Sequence, residues 1–475
     1  MSKTLGGCVA SLGVMVALLI LLAGQAMASM DSSILIVASP SLRTDLHASD
    51  AQLQLVVAMY TIAFAVFVVT GARVGDVIGR RRAFVIGLAA FTCASLAGGL
   101  APTPAALIVA RAFQGAAGAL MTPQVLSIIQ QQFEGETRAR AIGAYSMILA
   151  VGVAAGQVLG GLLVSAHLLA DAWRPALLLN APIGALLLLG VRRGLPPIPR
   201  GPRRRIDLAG ATVLSATLLT LVLPLTFGRD AGWPAWVWPC FAACALSLAA
   251  FVAIERRMSR GGRDPLFDLR LLALPNVASG VAVVLLGMAC YAGFLVSLTI
   301  HLQDGLGFTA LHAGLVFAIY ASGFATASLT WTRAAAGTRD RLPVIGPLVM
   351  GAALLGVGLI ASGGGWPLGL IAPLLFAAGV GHAWGFSPLA NRLTTAIRPE
   401  QAGQLSGLLL TASLIGQVVG VAAFVGVYLS AAPHGSAHAL AETTFVLAAV
   451  LVATAGCAIR AVSPARLGNA ASTPA

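Results

Sequence analysis

Two ionisable residues stand inside apolar sequence. Asp31 lies near the end of "LLAGQAMASMDSSILIVASP" (Leu21 to Pro40), and Arg111 lies within "LIVARAFQGAAGALMTP" (Leu107 to Pro123). An ionised side chain in hydrocarbon costs about 3 kcal/mol or more, so residues of this kind mark ion paths, proton relays or paired charges. Read as helices, both sit at one depth, ~10 Å from the outer end of their runs at ~1.5 Å per residue. Direct or water-mediated pairing is open to them. Burial opposes the ionised carboxylate and a nearby guanidinium supports it. A carboxylate balanced in this way gains or loses a proton as access changes sides, and an organic cation competes for the same charge. The expectation is that Asp31 is a proton and cation site tuned by Arg111. The competing reading is a structural pair that locks two helices. Gln114, Gly115 and Gly118 follow Arg111 at i+3, i+4 and i+7, on the same helical face.

Other chemistry is not legible. No nucleophile–base pair, acid cluster or cofactor loop is visible, so no enzyme, cofactor or resident metal is expected. The six cysteines are scattered. Cys240 and Cys244, one turn apart, read as small buried hydrophobes. His382 reads as a hydrogen-bonded interhelix histidine. Tyr60, Tyr145 and Tyr320 read as packing residues that could also meet a planar ligand.

The elements that must position Asp31 and Arg111 follow from composition. The 475 residues are 58% hydrophobic and 9% charged, with a mean hydropathy of +0.91. That excludes a water-soluble globule and implies a polytopic membrane protein. Runs long enough to cross a bilayer fall near 12–37, 53–74, 83–100, 104–128, 141–163, 176–191, 208–227, 236–254, 277–300, 313–331, 342–361, 368–386, 407–429 and 443–459. The first run reaches Val37, too long for the apolar core of a cleaved leader. The net charge of +13 follows from topology rather than from nucleic-acid binding. With the N-terminus inside, 24 of the 29 basic residues fall on cytoplasmic connections or tails, 3 on outer connections, and Arg73 and Arg111 within spans. Such a bias orients the chain with both termini cytoplasmic and an even number of spans. The connection "RRGLPPIPRGPRRRID" (Arg192 to Asp207) reads as a cytoplasmic linker and topology anchor, able to meet anionic lipid.

"GAYSMILAVGVAAGQVLGG" from Gly143 and "GQLSGLLLTASLIGQVVGV" from Gly403 share a glycine, twelve residues, then Gly-Gln-Val-x-Gly, offset by 260. This implies a six-span unit used twice, with two spans inserted between the copies. Transporters built from such repeats place their substrate path between them, near the midplane. The expected architecture is all-α: an N-terminal six-helix bundle over 1–195, a linker and two inserted helices over 196–272, and a C-terminal six-helix bundle with a tail over 273–475.

"GARVGDVIGRRR" (Gly71 to Arg82) resembles the signature loop of the major facilitator superfamily, matching at Gly71, Asp76, Gly79, Arg80 and Arg81. In that family the loop latches the cytoplasmic gate. Arg111, Gln114 and Gly115 resemble its Arg-x-x-Gln-Gly motif, tied to proton coupling. Gly143, Gly152, Gly156, Gly160 and Gly161 are similar to the glycine motif of its drug antiporters, except that Gln157 stands where that motif has proline. "AWRPALLLNAPIG" (Ala172 to Gly184), "DPLFDLRLL" (Asp264 to Leu272), "HLQDGLG" (His301 to Gly307) and the Asp31–Pro40 stretch resemble the fourteen-span drug:proton antiporters of the EmrB/QacA type. The resemblance spans essentially the whole chain.

It implies a major facilitator fold of fourteen transmembrane helices. It implies proton-driven efflux of amphipathic or cationic organic compounds across a bacterial inner membrane, by alternating access. The partners implied are a small organic substrate, protons and the bilayer, with a periplasmic adaptor where an outer membrane exists, and no nucleic acid. A monomer is the family's usual state. Gln114, Gln157 and Gln417 are expected at the substrate cavity, with interhelical hydrogen bonding the competing role for the last two. The alternative function is a dedicated exporter of one endogenous metabolite or antibiotic, or a solute importer of the same fold.

Overall fold

The computed structural model describes residues 2–166, 169, 171–195, 208–228, 232–261, 269–395 and 402–463. The basic linker from residue 196 to 207, residues 264–268 of the expected subfamily run and the tail carrying Arg466 lie outside these. The described residues form helices: α1 Ser2–Asp45, α2 Asp50–Ile78, α3 Arg80–Gly99, α4 Pro104–Gln132, α5 Gly135–Ser165, the short α6 Arg174–Leu178, α7 Asn180–Gly194, α8 Leu208–Phe227, α9 Val237–Arg260, the short α10 Leu269–Ala273, α11 Pro275–Ile300, α12 Ala310–Thr330, α13 Ala336–Ser362, α14 Leu368–Thr395, α15 Ala402–Gly420, the short α16 Gly426–Ala431 and α17 Ser436–Val462. Among the described residues thirteen helical stretches are long and apolar enough to cross a membrane, and Ala209–Leu225 is a shorter apolar helix where the seventh expected span falls.

Local sequence sets the helix ends. Ser49 caps α2 reciprocally with Gln52, its hydroxyl accepting from the Gln52 amide while its own amide donates to the Gln52 side chain. Thr103 caps α4, with Pro104 in the first turn where no amide is needed. Gly79 separates α2 from α3 at φ +94°, a conformation open to glycine and strained for other residues.

Packing repeats. In the first set α1 lies on α5 and α4 lies on both α2 and α3; in the second α11 lies on α15 and α14 lies on both α12 and α13. The two sets meet through α5 on α12 and α2 on α15. Helices α8 and α9 pair with each other, with α8 resting on α2 and α15. Glycines make the closest crossings. A Cβ on Gly156 would stand 3.0 Å from the Met30 carbonyl carbon of α1, and one on Gly416 would stand 3.1 Å from the Leu285 carbonyl carbon of α11. Bare backbone lets helices approach this closely without a hydrophobic drive between them. The 260-residue sequence repeat is therefore a repeat of the same helix crossing.

Gly156→Ala puts a methyl into the α1–α5 contact and lowers the thermal unfolding midpoint in detergent, at a cost of about 1–3 kcal/mol. Gly456→Ala, in α17 with nothing within 4 Å of the added carbon, leaves the midpoint unchanged or raises it.

Candidate functional site

The site is built on α1, α4 and α7, with α2 and α3 closing it. Arg111 Nη1 donates to Asp31 Oδ2 at 2.5 Å and to Gln114 Oε1 at 2.7 Å. Asp31 Oδ1 accepts from Gln114 Nε2 at 2.8 Å and from Asn180 Nδ2 at 2.7 Å. Both amides also reach Ser95 Oγ, at 3.1 and 2.9 Å, and that hydroxyl donates to the Leu177 carbonyl at 2.9 Å. Arg111 Nε donates to the Val56 carbonyl at 3.3 Å, and its guanidinium lies 4.6 Å from the Tyr60 ring centre. Asp31 is 0% exposed and Arg111 1%. A buried pair is tolerable only when its remaining hydrogen-bonding positions are also filled. Here two amides and the Val56 carbonyl do that, while the Tyr60 face takes the cation.

Helix geometry explains the convergence. Arg111 and Gln114 share one face of α4 by their i, i+3 spacing. Gly115, next on that face, lets α2 close in: a Cβ there would stand 3.0 Å from the Tyr60 carbonyl carbon. The Tyr60 ring can then lie over Arg111. On the other side, the α5 glycines face the α1 turn that carries Asp31. A Cβ on Gly152 would stand 2.6 Å from the Ser29 side chain, and one on Gly160 would stand 2.9 Å from the Ile34 carbonyl oxygen. The Ser33 hydroxyl donates to the Val153 carbonyl at 2.7 Å.

The expected site residues divide into separate places. Asp31, Arg111 and Gln114 come together in direct contact. Gln114 is buried and its amide is committed to the ion pair. Gln157 is half-buried on α5, opposite Gly314 of α12, so it faces the second helix set. Gln417 is half-buried and donates along its own helix to the Ser413 carbonyl at 3.3 Å. Gly143 packs on the Ser328 backbone of α12, away from α1, and Gly161 is half-buried. With Gln157 in the proline position, α5 runs without a break.

The loop residues form a second cluster. Asp76 meets Arg80 at 3.0 Å and Arg73 at 3.5 Å. Arg81 donates to the Leu195 carbonyl at 2.8 Å, tying the start of α3 to the end of α7. Gly71 packs on the Ala119–Leu120 backbone, and its carbonyl accepts from Gln124 at 2.9 Å.

Asn180, Ser95 and Tyr60 are the members of the Asp31 network that spacing did not assign. Asn180 carried a signal, a polar amide in the apolar stretch "LLLNAPIG". Ser95 and Tyr60 carried none, because a serine or tyrosine in an apolar helix is ordinary.

Apolar helices packed twice in one arrangement, around a buried ion pair in one copy, define a polytopic membrane transporter. The description of the Major Facilitator Superfamily matches residues 21–421, and the chain belongs to that superfamily. It is 35% identical over 410 residues to the probable actinorhodin transporter of Streptomyces coelicolor, covering 86% of this chain and 71% of that protein. It is 34% identical over 455 residues to the cephamycin export protein of Amycolatopsis lactamdurans, covering 94% of this chain and 90% of that protein. In fold it is similar to a human organic anion transporter, with a TM-score of 0.65 at 14% identity over 94% of this chain and 99% of the other. It is likewise similar to the proton:xylose symporter XylE, with a TM-score of 0.64 at 14% identity over 93% and 94%.

Asp31→Asn leaves Arg111 buried without a counter-charge and destabilises the protein by about 3–5 kcal/mol. The double variant Asp31→Asn/Arg111→Gln is more stable than Asp31→Asn alone, measured by thermal unfolding in detergent.

Proposed function

We propose that the chain is a fourteen-span drug:proton antiporter that exports amphipathic or cationic organic compounds across a bacterial inner membrane. The observation that carries this reading is the Asp31–Arg111 pair, enclosed by Gln114, Asn180 and Ser95 at 0–1% exposure. A carboxylate this enclosed exchanges a proton only when helices move. Protonation removes the negative charge that Arg111 holds, so taking up a proton and loosening α1 from α4 are one event. A ligand or proton shifts the helices only by its differential affinity for the two arrangements. The unbroken glycine face of α5 offers α1 a smooth surface on which to shift.

In this reading Asp31 and Arg111 couple the proton, and Gln157 and Gln417 serve the cavity between the bundles. Gln114 acts from within the coupling network. Gly71, Asp76, Gly79, Arg80 and Arg81 latch the cytoplasmic gate. The bundles are residues 1–195 and 273–475, with 196–272 between them and both termini cytoplasmic. The pump works as a monomer, without a cofactor, and with a periplasmic adaptor where an outer membrane exists. The relatives' names, an actinorhodin transporter and a cephamycin export protein, also support a second reading. In it the chain exports one endogenous metabolite or antibiotic by the same mechanism.

The test is fluorescent-cation efflux in inverted vesicles under an imposed pH gradient. Wild type transports, and Asp31→Asn, checked for insertion and monodispersity, loses gradient-driven transport at least about tenfold, as expected for loss of a positioned proton carrier. Unchanged transport by Asp31→Asn makes the pair structural. Transport of a single secreted antibiotic but no general cation supports the second reading.

A further inference from the structure

A second polar site lies between the helix sets, at the end of the molecule that carries the arginine-rich connections. A cavity of about 650 Å³ is lined by Glu136 and Arg138 of α5, by Trp331 and Arg339 from the α12–α13 region, and by Arg392 of α14. That volume suits a small organic ligand or a lipid headgroup. Its acids are already paired. Glu136 meets Arg140 at 2.8 Å, and Asp340, also at the cavity, meets Arg392 at 3.1 Å. Among the described residues Arg138 and Arg339 make no ion pair, and Arg138 Nε donates only to the Phe133 carbonyl, at 2.9 Å. Both arginines are half-buried at the cavity, while Trp331 Nε1 is enclosed beside Gly143.

We propose that this cavity binds a phosphate oxyanion between the two helix sets, with Arg138 supplied by one set and Arg339 by the other. The chemistry is that of guanidinium forks on a phosphate. The source is a phospholipid headgroup from the adjoining leaflet or a soluble phosphate. An anion held by both sets favours the arrangement in which they are closed at this end, because separating them removes half of its ligands. The site does not depend on what the transporter exports.

The test uses the purified full chain in phosphatidylcholine nanodiscs, reading the thermal unfolding midpoint. In one arm sodium phosphate is titrated against sodium chloride at equal ionic strength. In the other, phosphatidylglycerol replaces part of the phosphatidylcholine. A saturable rise in the first arm identifies soluble phosphate, and a rise confined to the second identifies the headgroup. In either case Arg339→Gln and Arg138→Gln weaken the apparent affinity by roughly tenfold or more, the effect of losing a charge-assisted hydrogen bond. Arg333→Gln, exposed on the same connection and outside the cavity, stays at the wild-type value. Arg339→Lys keeps the charge but not the planar fork and weakens binding severalfold, which covers the case of a glutamine variant that does not fold. The proposal fails if neither anion raises the wild-type midpoint above the chloride control. It fails equally if Arg333→Gln loses as much as Arg339→Gln.

Discussion

An ion pair excluded from water must stay together or exchange a proton, and much of the first helix set is arranged around that constraint. Asp31 and Arg111 come from helices separated by 80 residues of chain. Removing either charge alone leaves the other in low dielectric, so α1 and α4 are held at one relative height. Asn180 and Ser95 extend the constraint to α7 and α3, and Tyr60 extends it to α2. Five helices thereby share one polar centre inside an otherwise apolar bundle. Such a centre contributes more to specifying one arrangement than to net stability, since desolvating the two charges offsets most of their attraction.

The second helix set handles the corresponding crossing without charge. Gly379 lies against the Tyr320 backbone as Gly115 lies against that of Tyr60. Three residues further along stand Gly118 in one copy and His382 in the other. At Gly118 a Cβ would come within 3.3 Å of the Tyr60 hydroxyl, which instead donates to the Ala28 carbonyl. At His382 the imidazole fills that space, with Nδ1 2.8 Å from the Tyr320 hydroxyl. Among the described residues no Asp, Glu, Lys or Arg is buried in α11–α17. The two copies thus keep the backbone crossing and differ in what the crossing encloses. One holds an ion pair, and the other holds a tyrosine–histidine hydrogen bond.

The polar ends of the bundle show the same economy of charge. Asp76 gathers Arg73 and Arg80, and Arg81 fastens α3 to α7, so the loop between α2 and α3 is bound to its own helix set. Across the molecule Asp340 and Arg392 pair between α13 and α14. Arginine suits these positions because its planar fork satisfies carboxylate and carbonyl partners together. Contact between the sets rests on small residues, Gly143 against the Ser328 backbone and Gly314 beside Gln157. Contacts of that kind hold by dispersion rather than by directed bonds.

The sequence by itself determined the membrane class, most helix positions, the repeat and the placement of Asp31 and Arg111 as charges inside spans. These depend on quantities local in the chain: apolar run length, arginine placement, glycine spacing, and the cost of a charge in hydrocarbon. The family followed from short motifs in fixed order. Tertiary structure alone decided the partners. Gln114 read as a cavity residue, but its amide lies inside the ion-pair network. Gly143 read as one motif with Gly152, Gly156 and Gly160, yet it faces α12 while the others face α1. Asn180, Ser95 and Tyr60 became part of the site only through helix packing. Local spacing places residues on one face of a helix, but which helix that face meets depends on how all the apolar surfaces are buried together.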